Sequence, residues 1–139
     1  MKKVKTACPV SNLDVLEAFS DQLSVDIITA ISNHCTNSDD LMQMLNITRK
    51  QFYTRSSRLL KIGIISQKGG EIILTSFGRL VYKAQSKIAT AFSHSSELRM
   101  IDVLKSHSGM SEDELKRIID KLLDDSELKN LVSWTEKKN

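Results

Sequence analysis

Apolar positions recur at helical spacing along most of this 139-residue chain, with one interruption where the residues suit strands. Leu13, Leu16, Phe19 and Leu23 predict a short helix followed by a turn around Ser20–Gln22. Ile27, Ile28 and Ile31 share a face of a second helix, from near Ser24 to about His34. Thr36 to Ser38 is a polar break. Ser38 is then expected to cap a helix whose first turn carries Asp39 and Asp40, acids that suit the positive end of a helix dipole. That helix, DDLMQMLN, is expected to bury Leu41, Met44 and Leu45, the methionines serving as core filler. Asn46 and Ile47 turn the chain, and Thr48 caps a helix whose inner face carries Phe52, Ser56, Leu59 and Leu60. Ser56 is small and polar for such a face, so packing there should be close or slightly loose.

Gly63 is placed to end that helix in the left-handed conformation. Ile64–Ser66 and Glu71–Leu74 then read as two strand arms around a permissive tip, Gln67, Lys68, Gly69 and Gly70. Thr75 caps a long helix with an apolar stripe of Phe77, Leu80, Val81, Ala84, Ile88, Ala91 and Phe92. Gly78, in its first turn, lets another backbone approach. After a Ser/His break at 93–96, Leu98, Ile101 and Leu104 form one stripe and Leu115, Ile118, Ile119, Leu122 and Leu123 another. Leu128, Leu131, Val132 and Trp134 close the pattern. The predicted fold class is mainly α with a small β-hairpin wing: a winged helix-turn-helix plus a C-terminal helical extension. The expected parts are a flexible tail over 1–12, the winged domain over 13–92, and the extension over 93–139.

Composition narrows the class. Apolar content of 40% and charged content of 27% are those of an ordinary globular protein, and one proline favours helices over a turn-rich sandwich. No run of about 18 apolar residues exists, so no membrane partner is expected. The start, MKKVKTACPV, has no sustained apolar region of the kind a signal peptide needs, and a cytoplasmic location is expected. Cys8 and Cys35 form no CxxC, and His34, His94 and His107 are scattered, so neither a metal nor a cofactor is expected. The chain has no GxSxG, P-loop or HExxH pattern, and Asp124-Asp125 reads as a solvated junction, so an enzyme is not expected.

Charge changes the picture through its distribution. The net value is only +3. Residues 41–70, however, hold Arg49, Lys50, Arg55, Arg58, Lys61 and Lys68 and no acid, while residues 1–40 hold three bases against six acids. Residues 71–92 are mildly basic and 93–139 mildly acidic. A phosphate backbone would be drawn to one segment and repelled by its flanks. That segment occupies the slot of a recognition helix, about 48–62, and a wing, about 64–74. Double-stranded DNA is therefore the expected partner. With Phe52, Ser56 and Leu59 inward, Arg49, Lys50, Tyr53 and Thr54 are expected at base edges or the groove, with Thr48 at the helix start. Ser57, Arg58 and Lys61 are expected on phosphates, with Arg55 joining them if its stem reaches outward. Lys68 at the tip is expected on the adjacent minor groove or backbone.

Residues 13–81 resemble the winged-helix domain of ArsR/MarR-type transcriptional regulators, particularly small archaeal ones. The resemblance rests on FSDQLSVDIITAIS, on DLMQMLNITRKQFYTRSSRLLKIGIIS, and on GGEIILTSFGRLVY. Leu59, Gly63, Ile64 and Ile65 match the family's helix ending, and Leu74, Thr75 and Gly78 match its LTxxG after the wing. The likeness implies a recognition helix from Thr48 to Ile62 and a homodimer formed through terminal helices. The paired-cysteine motif of metal-sensing members is absent, so metal regulation is not implied. The stripe from Phe77 to Phe92 suits an antiparallel partner helix, or alternatively the chain's own later helices. MSEDELKRII as part of a second helix-turn-helix is disfavoured by its acidity and missing wing. The competing functional class is a winged-helix protein-protein interaction module in a transcription or replication assembly.

Overall fold

The computed structural model describes residues 11–107 and 109–133. Cys8 and Trp134 lie outside them, as do the first ten residues of the expected tail. The described part is mainly helical, with one two-stranded antiparallel sheet. It divides into a first compact unit ending at Gln85 and a second beginning at Ser86.

The first unit opens with α1 (Asn12–Phe19). Ser11 caps it in a capping box with Asp14, so these residues already belong to the fold rather than to a tail. Val15 and Ala18 face the core, whereas Leu13 and Leu16, expected inside, are 68% and 57% exposed. An alanine at the contact lets α1 sit close on α2 and α4, and the leucines lie on the far side. Helix α2 (Gln22–Ser32) starts earlier than expected because Asp21 is its N-cap, accepting from the Ser24 amide at 3.2 Å. It is the centre of the unit, packing on α1, α3, α4 and β2 through Ile27, Ile28 and Ile31.

Helix α3 (Ser38–Leu45) is capped by Asn37, not Ser38: the Asn37 Oδ1 accepts from the Asp39 and Asp40 amides at 2.8 and 3.3 Å. Leu41 is buried as expected, but Met44 is 62% exposed and Met42 packs on the core in its place. At about 100° per residue, 41, 42 and 45 fall in one sector and 44 falls outside it. Asn46 closes α3 at φ 52, and three residues later α4 (Arg49–Ile62) begins.

Phe52, Ser56, Leu59 and Ile62 are the buried side of α4. Leu60, expected there, is exposed. Gly63 ends the helix at φ 87, and a Cβ added there would meet nothing within 4 Å. Gly63→Ala should therefore cost only backbone strain, about 1 kcal/mol, read as a lower urea midpoint.

Strands β1 (Ile65–Lys68) and β2 (Glu71–Leu74) pair in register Ile65 to Leu74 through Lys68 to Glu71. The tip is therefore Gly69-Gly70 alone rather than four residues. Their φ values of 61 and 81 suit a two-residue turn whose twist matches the strands. The Ile72 amide also donates to the Thr36 carbonyl at 2.9 Å, which ties β2 to the loop between α2 and α3.

Helix α5 (Ser76–Ser93) begins against the end of α4. The Thr75 hydroxyl lies 2.5 Å from the Gly63 carbonyl and 3.1 Å from that of Ile64, sharing its one proton, and accepts from the Gly78 amide at 2.9 Å. The Thr75 amide donates to Ile64 O at 3.0 Å. Gly78 is buried, as the close approach of another backbone requires. Within the first unit Val81 and Tyr82 turn to the core, while Phe77 and Leu80 stay exposed. Further along α5, Ala91 packs into the second unit's cluster, and Ile88 and Phe92 stay exposed.

The second unit contains α6 (Ser95–Ser106), α7 (Glu112–Leu122) and α8 (Ser126–Ser133). Ile101, Ile119, Leu123 and Leu128 form its core, with Leu98, Leu115, Leu122 and Val132 against them. Asp125 caps α8 by accepting from the Glu127 and Leu128 amides, and its other oxygen takes Lys87 Nζ at 2.7 Å. That Lys87 hydrogen bond holds the Asp125 carboxyl below its usual range, and Asp125 in turn pushes Lys87 up. Lys105 donates to the Val132 carbonyl.

Candidate nucleic-acid interface

Three features build the surface: the start of α4, its outer face, and the hairpin arm. Thr48 forms a capping box with Gln51. Its Oγ1 accepts from the Gln51 amide at 3.1 Å, while the Gln51 side chain accepts from the Thr48 amide at 3.0 Å. Thr48 thus satisfies helix ends, and its contribution at the site is to fix where α4 begins.

Arg49 and Lys50 follow in the first turn, both exposed. A helix start carries about half a positive charge, so two cations there oppose the dipole at a cost of about 0.3–1 kcal/mol each. Helices α3 and α7 place acids at that position instead. The arrangement on α4 disfavours the isolated helix and favours an anion in front of it.

Tyr53 stands one turn on, 42% exposed and edge-to-face with Phe52 at 5.3 Å. The Arg49 guanidinium lies 6.0 Å from the Tyr53 ring centroid, at the outer reach of a cation–π contact. Thr54, Ser57 and Lys61 are exposed beyond them. Residues 49, 50, 53, 54, 57 and 61 occupy a sector of about 140°, opposite the buried sector of Phe52, Ser56, Leu59 and Ile62. Six of the expected residues are therefore brought to one face. Lys68 is exposed near the end of β1, with Glu71 as its register partner across the strands rather than at an isolated tip. Among the described residues, no ion pair engages Arg49, Lys50, Lys61 or Lys68.

The two remaining arginines of the basic run face elsewhere. Arg55 Nε donates to Asp21 Oδ2 at 2.7 Å, and Arg58 pairs with Glu17 at 3.1 Å. Arg55 does not snorkel outward, because its position lies on the flank that α4 turns toward α2. Asp21 thus binds three donors: the Ser24 amide, the Ser24 hydroxyl at 2.7 Å, and Arg55. The Arg55 hydrogen bond, then that of Ser24, holds the Asp21 carboxyl below its ordinary value. Sequence reasoning missed this hub. Asp21 before Gln22, with a serine three residues on, is a legible cap signal, but its pairing with Arg55 spans 34 residues.

A depressed folded pKa contributes stability that is complete above the unfolded carboxyl value, about 3.9, and is lost as pH falls through the folded value. Asp21→Asn retains a capping side chain and removes the charge. The difference in thermal midpoint between parent and variant should be constant from neutral pH to about 4 and shrink below that.

Cys35 is a half-buried free thiol, and burial, then the Asp40 carboxylate, pushes it up, so it stays protonated at neutral pH. Among the described residues no group of three His, Cys, Asp or Glu side chains is placed to hold a metal ion, and no helix is long and apolar enough to cross a membrane. Comparison with protein-family models, with curated proteins and with solved structures finds no match to this chain.

Proposed function

We propose that this chain is a sequence-specific double-stranded DNA-binding transcriptional regulator of the ArsR/MarR-like winged helix-turn-helix type, acting as a cytoplasmic homodimer by occupancy rather than catalysis. Helices α3 and α4 serve as the helix-turn-helix, with α4 in the major groove and the β1–β2 hairpin as the wing on adjacent backbone or minor groove. The supporting observation is the start of α4. Arg49 and Lys50 oppose the helix dipole there, exposed and without acidic partners among the described residues, beside Tyr53, Thr54 and Ser57 on the same face.

Fluorescence anisotropy of a labelled duplex across a series of KCl concentrations tests the reading. The four interface bases Arg49, Lys50, Lys61 and Lys68 predict that log K falls with log[salt] at a slope of about −4 per chain. Selection of bound genomic fragments then tests sequence specificity. If the chain has no duplex affinity even at low salt, the reading passes to the protein-protein interaction module.

A further inference from the structure

Of the four interface bases, Arg49 alone has a support built beside it. A side chain on a helix leans over the turn N-terminal to its own Cα, so the ring of Tyr53 falls next to residue 49. There the Arg49 guanidinium lies 6.0 Å from the Tyr53 ring centroid. The ring is itself braced: it meets Phe52 edge-to-face at 5.3 Å, and Phe52 is 1% exposed. The capping box of Thr48 and Gln51 fixes Arg49 as the first residue of α4. Support therefore runs from the core through Phe52 and Tyr53 to the guanidinium. Among the described residues, no ring lies against Lys50, Lys61 or Lys68.

An arginine held this way differs in use from a free lysine. A cation that only neutralises phosphate needs no fixed plane, because backbone charge is the same at every step. A guanidinium whose plane is set by a ring loses less freedom when its donors meet two acceptors at once. In the major groove the edge with two such acceptors is that of guanine, through N7 and O6. Adenine puts a donor at one of those places, cytosine offers a donor, and thymine offers a single acceptor.

We propose that Arg49 reads a guanine in the bound site, with Tyr53 as its positioning residue, and that Lys50 contacts phosphate. This rests on the DNA-binding reading and adds the base that α4 selects.

Selection from a pool of random duplexes, then anisotropy on the enriched duplex and its single-base variants, is the test, with circular dichroism as the folding control. For the parent, one guanine per chain should be fixed, and its replacement by adenine should weaken binding by about tenfold to a hundredfold. Arg49→Gln should move that one position toward adenine, which glutamine can bond through N6 and N7, and leave the other positions as they were. Lys50→Gln should weaken binding to all sequences alike, with a salt slope shallower by about 1 per chain. Tyr53→Leu removes no charge, so it should cut the guanine preference by about two- to fivefold at the parent's salt slope. Tyr53→Phe keeps the ring and should keep the preference. A parent motif without a fixed guanine, a guanine preference that survives Arg49→Gln, or equal preferences in Tyr53→Leu and Tyr53→Phe would overturn the inference while leaving duplex binding intact. A parent with no duplex affinity would overturn the reading beneath it as well.

Discussion

Gly78→Ala should lower the stability of the first unit by about 3 kcal/mol or more, with the loss read as a falling urea midpoint at unchanged slope. A Cβ on Gly78 would sit 2.0 Å from the Ile64 carbonyl oxygen and 2.9 Å from its carbon, both backbone atoms. Neither can swing aside as the end of a long side chain would. That carbonyl is also the acceptor of the Thr75 amide at 3.0 Å, so pushing it away strains the junction of α4, the hairpin and α5 together. Thr75→Val provides the comparison. It keeps the shape, leaves the Gly78 amide and the Gly63 carbonyl without that hydroxyl, and should cost about 1–2 kcal/mol. If alanine at 78 were no worse than valine at 75, backbone approach would not be what holds this junction.

Arg49→Ala with Lys50→Ala is expected to reduce duplex affinity by about a hundredfold and make the salt slope shallower by about 2 per chain. The same change removes two cations from the positive end of α4, so the folded state should gain about 0.6–2 kcal/mol. Lost binding with gained stability separates a binding role from a structural one. Arg58→Ala should have a smaller effect, since that guanidinium is already engaged by Glu17 at 3.1 Å. Glu17→Gln should release Arg58 and strengthen binding by a few-fold. Equal losses from the Arg49/Lys50 pair and from Arg58 would mean that charge alone, rather than position on the helix, governs affinity.

Local rules made most of the framework readable in advance. Thr48, Gly63 and Thr75 are short-range signals whose geometry follows from the residues within a few positions, and the hairpin was legible too, though with a tip of four residues where Gln67 and Lys68 in fact pair into the strands. On the inner face of α4, Phe52, Ser56 and Leu59 followed from a 3.6-residue period, whereas Leu60 is exposed and Ile62 is buried instead. What failed was the choice between neighbouring stripes: Leu13 and Leu16 against Val15 and Ala18, and Met44 against Met42. On helices of eight residues two stripes fit equally well, and the close contact with α2 and α4 decides between them. The candidate site was legible as a charge run but not as a face. Arg55 and Arg58 differ from Arg49 through acids on α1 and α2, at a chain distance no periodicity can span.

The ties of α4 to Asp21 and Glu17 constrain rotation about its own axis. A helix held only by apolar contacts can roll by tens of degrees while its side chains repack, and a roll of about 100° would move Arg49 by one residue position around the cylinder. The Arg55–Asp21 tie resists this with a planar donor group, Nε at 2.7 Å from the carboxylate, anchored at the α2 cap. Arg55→Lys keeps the charge but not the plane. Its consequence is angular: a loosened α4 presents a blurred set of orientations, so discrimination between duplex sequences should fall more than total affinity.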